Sequence, residues 1–147
     1  KATLIEEASG ASPHPRLQRI ISESPKQSPE PMLLRVSGDV AVDESGEGSW
    51  LEALASWRVP VLMLAEPRKD GRFAGIVPGS VALSRELNVA LLGLVQLGGT
   101  WSRSDRRADG LPWCGCLQGP DDDLSGLISC LRSRWVQVAK EEGPDRA

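Results

Sequence analysis

Two continuous apolar runs, at residues 59–65 and 91–97, constrain the fold more than any other feature of this sequence. Neither run alternates apolar with polar residues, and such runs are typical of strands that are buried on both faces. A long connection joins them, and its second half, at 80–87, has a helical pattern. Parallel strands need a crossover of this kind. We therefore predict a βαβ unit whose two strands belong to one parallel sheet.

The loops that follow these two strands are the candidate ligand-binding segments, because parallel sheets bind ligands at the carboxyl ends of their strands. They are residues 66–74 and 98–107. In the second loop, the amides of Gly98 and Gly99 and the hydroxyl of Thr100 can face a ligand, or these residues simply end the strand in a tight turn. Three arginines in this loop can bind phosphate or carboxylate, but a solvated loop is the favoured interpretation.

The rest of the sequence alternates strands with helices. We predict a strand at 32–36, with a possible extension at 40–42, and another strand within 111–117. Ser49 and Glu52 form the S-x-x-E pattern of a capping box, which begins a short helix. The clearest helix covers 124–138, where apolar residues recur at helical spacing. This alternation predicts an α/β fold in three layers, with a mostly parallel sheet and helices on both faces.

The domain organisation follows from composition. Residues 1–31 are rich in serine, proline and charge, and we expect an irregular segment there, with one short helix at 15–21. Residues 32–141 form the predicted α/β domain, and 142–147 form a tail.

Charge and composition argue against several classes of protein. The formal net charge of −3 argues against a nucleic-acid-binding protein, which normally has a basic face. No apolar run approaches the roughly 20 residues of a membrane-spanning helix. Three cysteines do not make a disulfide framework, so we expect free thiols and a cytoplasmic protein. The acidic run at 121–123 suits a helix start better than a metal site, and we predict no metal ligands.

No catalytic motif is visible. The sequence contains no G-x-x-x-x-G-K-[ST], no G-x-G-x-x-G and no G-x-S-x-G. A serine hydrolase triad would need His14, which is the only histidine and precedes the predicted domain. We therefore assign no catalytic residue.

The order and spacing of the segments nevertheless resemble those of the dethiobiotin synthetases, which belong to the P-loop NTPase superfamily. The resemblance covers roughly residues 11–135 and includes Ser12-Pro13-His14, the strand that leads to Gly38-Asp39, and Lys69-Asp70-Gly71. It also includes the apolar strands at 59–65 and 92–95. In the family, ATP and Mg²⁺ drive closure of a carbamate to a ureido ring. The family's metal-binding glutamate aligns with Arg35, which cannot bind Mg²⁺.

The resemblance implies a set of site residues. The substrate would contact three residues, namely Gly38, Asp39 and Lys69. The nucleotide would contact five residues, namely Gly98, Gly99, Thr100, Leu111 and Pro112. The resemblance also implies ATP and Mg²⁺ as cofactors and a homodimer as the assembly.

Two functions follow as hypotheses. In the first, the chain is part of an ATP- and Mg²⁺-dependent cyclo-ligase of biotin biosynthesis whose P-loop part precedes Lys1. In the second, it is a non-catalytic relative that keeps the fold as a binding or dimerisation module. Five tryptophans support the second hypothesis, since exposed tryptophan is favoured at interfaces. For Trp57 and Trp135, however, we expect positions in the core.

Overall fold

A computed structural model describes residues 3–23 and 32–141 of the chain. The chain divides into two compact units, Lys1–Arg58 and Val59–Ala147. Each unit contains one sheet with helices, and every strand pairing in both sheets is parallel. The protein is therefore of the α/β type, as the alternation of the sequence predicts. The predicted domain boundaries, at 31/32 and 141/142, stay predictions.

The first unit is built on a two-stranded sheet. Its elements are β1 (Thr3–Ala8), α1 (Pro13–Glu23), β2 (Met32–Ser37) and α2 (Trp50–Ser56). Strands β1 and β2 pair in register from Thr3 with Met32 to Ala8 with Ser37. The core of this unit comes mainly from the two helices, through Leu17, Trp50, Leu51, Ala53 and Leu54.

Two predictions for the first unit are wrong. The segment that we expected to be irregular contains β1 and α1, and α1 is longer than the predicted helix at 15–21. The possible strand at 40–42 is a turn instead, because the Asp39 carboxylate accepts a hydrogen bond from the Ala41 amide at 3.0 Å. Residues 24–31 of the segment that we expected to be irregular lie outside the described residues.

The capping box that begins α2 is confirmed. The Ser49 hydroxyl accepts a hydrogen bond from the Glu52 amide at 3.3 Å, and the Glu52 carboxylate accepts one from the Ser49 amide at 2.7 Å. These reciprocal bonds satisfy amides that a first helical turn leaves free. Ser49 is buried although it is polar, so this helix start is fixed within the unit.

The second unit contains a three-stranded sheet in the order β3-β4-β5. Its elements are β3 (Val61–Ala65), α3 (Ile76–Glu86), β4 (Leu91–Leu97), α4 (Arg103–Ala108), β5 (Trp113–Leu117) and α5 (Ser125–Glu141). The predicted βαβ unit is β3-α3-β4, in which α3 begins four residues earlier than predicted because the sequence pattern at its start is weak. Helix α4 lies in a segment that we expected to be a loop.

Strand β4 is central and is the most deeply buried element of this sheet. Leu92, Leu94 and Val95 are all buried there, as the apolar run predicts. Strand β3 does not fulfil the same prediction, since Leu64 is 53% exposed. The difference follows from position, because β3 pairs with β4 on one side and lies at the edge of the described sheet.

Two tryptophans lie outside the cores in which we expected them. Trp57 follows α2 and is 37% exposed, and Trp135 in α5 is 54% exposed. Trp50, by contrast, is almost fully buried in the first unit. Among the helices in the described part of the chain, none combines the length and the apolar character that a membrane crossing requires. The predicted tail at 142–147 lies outside the described residues.

Candidate functional site

A pocket of about 560 Å³ lies at the carboxyl end of the second sheet. One wall is the loop after β3, at residues 66–71, and the other is formed by Leu97, Gly99 and Thr100 at the end of β4. Both loops are those that the sequence marks as candidate ligand-binding segments. Ligands of open parallel sheets bind at this edge, and the volume lies within the usual range of small-molecule sites, about 300–1,000 Å³.

The first wall is held in shape by a tight turn. The Arg68 amide donates to the Arg72 carbonyl at 2.7 Å, and the Gly71 amide donates to the Arg68 carbonyl at 2.9 Å. The Asp70 carboxylate accepts from the Arg72 amide at 3.0 Å, which is the usual way that aspartate stabilises a turn. Asp70 is thus engaged within the loop, whereas Lys69 makes no ion pair among the described residues.

The second wall is held from inside by Gln96. This side chain is fully buried, and its amide nitrogen donates to the Gly98 carbonyl at 2.8 Å and to the Thr100 carbonyl at 3.2 Å. The Gln118 side chain donates to the Gly99 carbonyl at 3.2 Å. The loop carbonyls are therefore used by side chains. In the described part of the chain, the amides of Gly99 and Thr100 have no acceptor, so they are free to donate to a ligand.

The two walls approach each other at Gly99. A Cβ atom at this position would lie 2.7 Å from the Cγ atom of Pro67. The backbone of Gly99 is also left-handed, with φ of 66°. Glycine satisfies both requirements, and a larger residue would force the loops apart.

The side chain of Arg106 fixes the outer end of the first wall. It donates to the Gly71 carbonyl at 3.0 Å and to the Asp109 carboxylate at 3.0 Å. Its guanidinium lies 4.5 Å from the ring centre of Phe73 and 5.4 Å from that of Trp113. With a side chain that is 9% exposed, Arg106 supports the loop and does not belong to the solvated loop that we expected.

The predicted nucleotide residues are only partly brought together. Gly99 and Thr100 line the pocket, whereas Gly98, Leu111 and Pro112 do not. The Gly98 amide donates to the Leu117 carbonyl at 2.7 Å, and the Pro112 carbonyl accepts from the Leu94 amide at 3.0 Å. The Gly98 amide and the Pro112 carbonyl are thus engaged in hydrogen bonds between β4 and β5. Of the predicted substrate residues, Lys69 lines the same pocket.

The other two predicted substrate residues, Gly38 and Asp39, lie in the first unit, directly after β2. Gly38 packs against Ser9, whose hydroxyl lies 2.3 Å from the position that a Cβ at residue 38 would take. Ser9 itself donates to the Glu44 carboxylate at 2.9 Å. Because Gly38 has no side chain, the chain segments that follow β1 and β2 can approach each other closely.

Arg35, which aligns with the family's metal-binding glutamate, lies on the exposed part of the first sheet. Its guanidinium donates to the carboxylate of Glu6 on the neighbouring strand at 3.0 Å. A cation paired in this way does not bind a second cation. Among the described residues, no group of three or more histidine, cysteine, aspartate or glutamate side chains is close enough to hold a metal ion.

Two aspartates of the acidic run before α5 accept hydrogen bonds from backbone amides, one at the first residue of the helix and the others in the preceding loop. The Asp123 carboxylate accepts from the Ser125 amide at 2.9 Å, and this bond lowers the pKa of Asp123. The Asp122 carboxylate accepts from the amides of Gln118 and Gly119.

The structural role of His14 is a contact with Trp57. The Trp57 indole N–H donates to Nδ1 of His14 at 3.3 Å. The neutral ring therefore carries its proton on Nε2. This hydrogen bond joins Trp57, the residue that follows α2, to helix α1.

Gln96 is a residue of the site that sequence reasoning missed, whereas Arg106 is one of the three arginines expected to bind an anion or to lie in a solvated loop, and it supports the pocket instead. Gln96 carries a signal, because it is the only polar residue in the apolar run at 91–97, and a lone buried amide needs partners. Arg106 carries no signal of its supporting role, because nothing in the sequence distinguishes it from Arg103 and Arg107.

Comparison with models of known protein families finds no match to this sequence. Comparison with curated proteins finds none that matches it either.

Proposed function

We propose that this chain is a dethiobiotin synthetase-like protein with a P-loop NTPase-like fold, and that the pocket of its second unit binds an adenine nucleotide. One observation carries the proposal. Lys69, Gly99 and Thr100, which were assigned to substrate and nucleotide on the resemblance, line one pocket at the carboxyl end of a parallel sheet. The resemblance suggests the identity of the ligand, and the shared pocket supports the proposal that these residues contact it.

The chemistry of the pocket fits a phosphorylated ligand. Arg68 and Lys69 bring two cationic side chains to the first wall, which also carries the carboxylates of Glu66 and Asp70, and the amides of Gly99 and Thr100 are donors on the second wall. Phosphate oxygens accept hydrogen bonds from both kinds of donor, and bonds to a charged partner are stronger than neutral ones. The ligand would thus lie across the two loops, with its phosphates towards Lys69.

Magnesium does not fit the position that the family uses for it. Arg35 occupies that position and is paired with Glu6, so we derive no step that passes through a metal bound there. This pairing favours a non-catalytic relative over the cyclo-ligase, as the second hypothesis has it, and we extend that hypothesis to a binding module whose ligand is a nucleotide. The homodimer and the cytoplasmic location stay predictions.

Isothermal titration of the full chain with ATP in excess Mg²⁺ tests the proposal. We expect saturable binding, and we expect Lys69→Ala to weaken it about fivefold, since an exposed ion pair is worth at most about 1 kcal/mol. Lys140→Ala is the matched control, because Lys140 lies at the exposed end of α5 and its loss changes the net charge equally.

Two results would overturn the proposal. One is the absence of saturable binding of ATP and of ADP by a folded chain. The other is equal affinity of the Lys69→Ala and Lys140→Ala variants, which would move the ligand away from the pocket. If ATP binds, release of ADP in the presence of a diamino acid and bicarbonate separates the two hypotheses when it is measured on a protein that also carries a P-loop segment before Lys1, because only a cyclo-ligase turns ATP over.

A further inference from the structure

The loop after β4 presents two consecutive backbone amides at the pocket, those of Gly99 and Thr100. Both residues are exposed and line the pocket, and within the described part of the chain neither amide has an acceptor. The Gly98 amide, in contrast, donates to the Leu117 carbonyl. The directions of the two free amides therefore decide whether a ligand in the pocket can use them.

Gln96 fixes the direction of the first amide. Its side chain is fully buried, and its amide nitrogen donates to the Gly98 carbonyl at 2.8 Å, so this carbonyl points inward. The peptide bonds of the described residues are all trans, and in a planar trans peptide the carbonyl and the amide point in opposite directions. The Gly99 amide shares a peptide group with the Gly98 carbonyl. It therefore points outward, away from Gln96.

Gln118 fixes the direction of the second amide in the same way. It follows β5 directly, and its side chain donates to the Gly99 carbonyl at 3.2 Å, so this carbonyl points towards β5. The Thr100 amide shares a peptide group with that carbonyl and points away from β5. Because the sheet order is β3-β4-β5, this direction leads to the loop after β3, which is the opposite wall of the pocket.

We propose that Gln96 and Gln118 are positioning residues, which aim the amides of Gly99 and Thr100 at one phosphate group of a ligand in the pocket. The inference rests on the proposed function for the identity of that ligand as a nucleotide. Neither glutamine lines the pocket, so each acts through the peptide group that it holds.

The amide pair gives the pocket its preference for an anion. The opposite wall carries two cations, Arg68 and Lys69, and two carboxylates, Glu66 and Asp70, so its formal charges cancel. The second wall adds only donors, because the neighbouring carbonyls are engaged by the two glutamines. Successive backbone amides form anion-binding concavities, and their bonds to a charged acceptor are stronger than bonds to a neutral one.

The test is titration of the full, isotopically labelled chain with inorganic pyrophosphate, followed through its backbone amide resonances by NMR. We expect the amide protons of Gly99 and Thr100 to move downfield and to saturate together, because each gains a charged acceptor. The amide of Gly110 is an internal control, since this glycine is also left-handed, with φ of 68°, but does not line the pocket. It should not move.

Gln118→Met tests whether the glutamine positions the amide. Methionine has a similar length but donates no hydrogen bond, and Gln118 is exposed, so the fold should be kept. We expect pyrophosphate to bind about three- to tenfold more weakly, since the freed peptide group has to be ordered on binding. The response of the Thr100 amide should fall, while that of Gly99 should persist because Gln96 still holds its peptide group. Gln137→Met is the matched control, since Gln137 is exposed on α5.

Gln96→Met should reverse this pattern. It frees the Gly98 carbonyl, so the response of the Gly99 amide should fall more than that of Thr100. Because Gln96 is buried, the Gln118→Met variant decides the matter if Gln96→Met does not fold.

The outcomes separate this inference from the proposed function. Saturable binding of ATP that leaves the amides of Gly99 and Thr100 unmoved would overturn the positioning role and keep the nucleotide. Equal pyrophosphate affinity of the Gln118→Met and Gln137→Met variants would also overturn it. Movement of both amides by pyrophosphate without saturable binding of ATP or ADP would support the phosphate site and overturn the nucleotide. Binding of neither pyrophosphate nor ATP would overturn both.

Discussion

Replacement of Gly93 by alanine should be among the most damaging conservative changes in this protein. Gly93 lies in the central strand β4, with φ of 145°, which L-residues rarely adopt. A Cβ atom there would lie 2.5 Å from the Pro112 carbonyl oxygen and 2.6 Å from the Cys114 sulfur. The carbonyl cannot turn away freely, because it accepts the Leu94 amide at 3.0 Å. The added methyl group therefore has to separate β4 from β5.

The expected cost has two parts. Backbone strain costs about 1–3 kcal/mol, and forcing an extra carbon into a packed site costs about 1–3 kcal/mol more. We expect Gly93→Ala to lower the free energy of unfolding by about 2–6 kcal/mol. Because natural domains have only about 5–15 kcal/mol in total, a loss of this size is a large fraction of the stability.

Urea unfolding followed by tryptophan fluorescence measures this change, and Gly126→Ala is the control. Gly126 lies in α5 with open space around its Cα atom, so alanine there should raise the stability, by at most about 1 kcal/mol. The two identical substitutions should therefore act in opposite directions. A Gly93→Ala protein within about 0.5 kcal/mol of wild type would refute the packing argument.

Further predictions concern the helix cap and the support of the pocket. Ser49→Ala should lower the free energy of unfolding by about 1–2 kcal/mol, measured in urea at pH 7, because the hydrogen bonds of the Ser49 hydroxyl at the start of α2 are lost. The backbone amide of Ser49, and then its hydroxyl, lower the pKa of Glu52 below 4.5. The stability that these bonds provide is therefore present above pH 4.5 and lost as the pH falls through the lowered pKa. Because alanine keeps the amide, Ser49→Ala should reduce but not abolish this acid limb, the loss of thermal stability between pH 7 and pH 3. An unchanged limb would contradict that linkage. Arg106→Lys should cost about 1–2 kcal/mol and shift the Trp113 emission, since lysine cannot stack and bridge with one planar group; unchanged stability and emission would count against the supporting role.

Strand β1 shows why sequence reasoning missed part of the first unit. Its sequence ends in Glu6-Glu7-Ala8, and these residues favour helices over strands. The strand forms by pairing along its whole length with β2, and both glutamates have cationic partners there, since Arg35 on β2 pairs with Glu6 and Arg16 of α1 pairs with Glu7. Neither partner is a near neighbour in sequence. Local propensity therefore gives the wrong structure where pairing across the sheet decides it.

Helix α4 was missed for a related reason. It contains no large apolar residue, so it has no hydrophobic periodicity that could be recognised. Its start is capped by Ser102, whose hydroxyl accepts from the Asp105 amide at 3.4 Å. Arg106 then packs over Phe73, which lies 33 residues earlier in the sequence, and over Trp113 at the start of the next strand. In contrast, β4 and the capping box of α2 carry their signals locally, and both were predicted correctly.

The pocket depends both on local sequence signals and on contacts between residues that are separate in sequence. Its place was predictable, because the ends of two parallel strands locate it, whatever residues follow them. Its shape was not, because each wall depends on a side chain from elsewhere: Gln96 holds the loop after β4 from inside, and Arg106 holds the loop after β3 from α4. Since both loops are already ordered by these bonds, a ligand would not have to supply the free energy of ordering them. This pre-organisation is a physical reason to expect measurable affinity from a pocket whose only unpaired lysine, within the described residues, is the exposed Lys69.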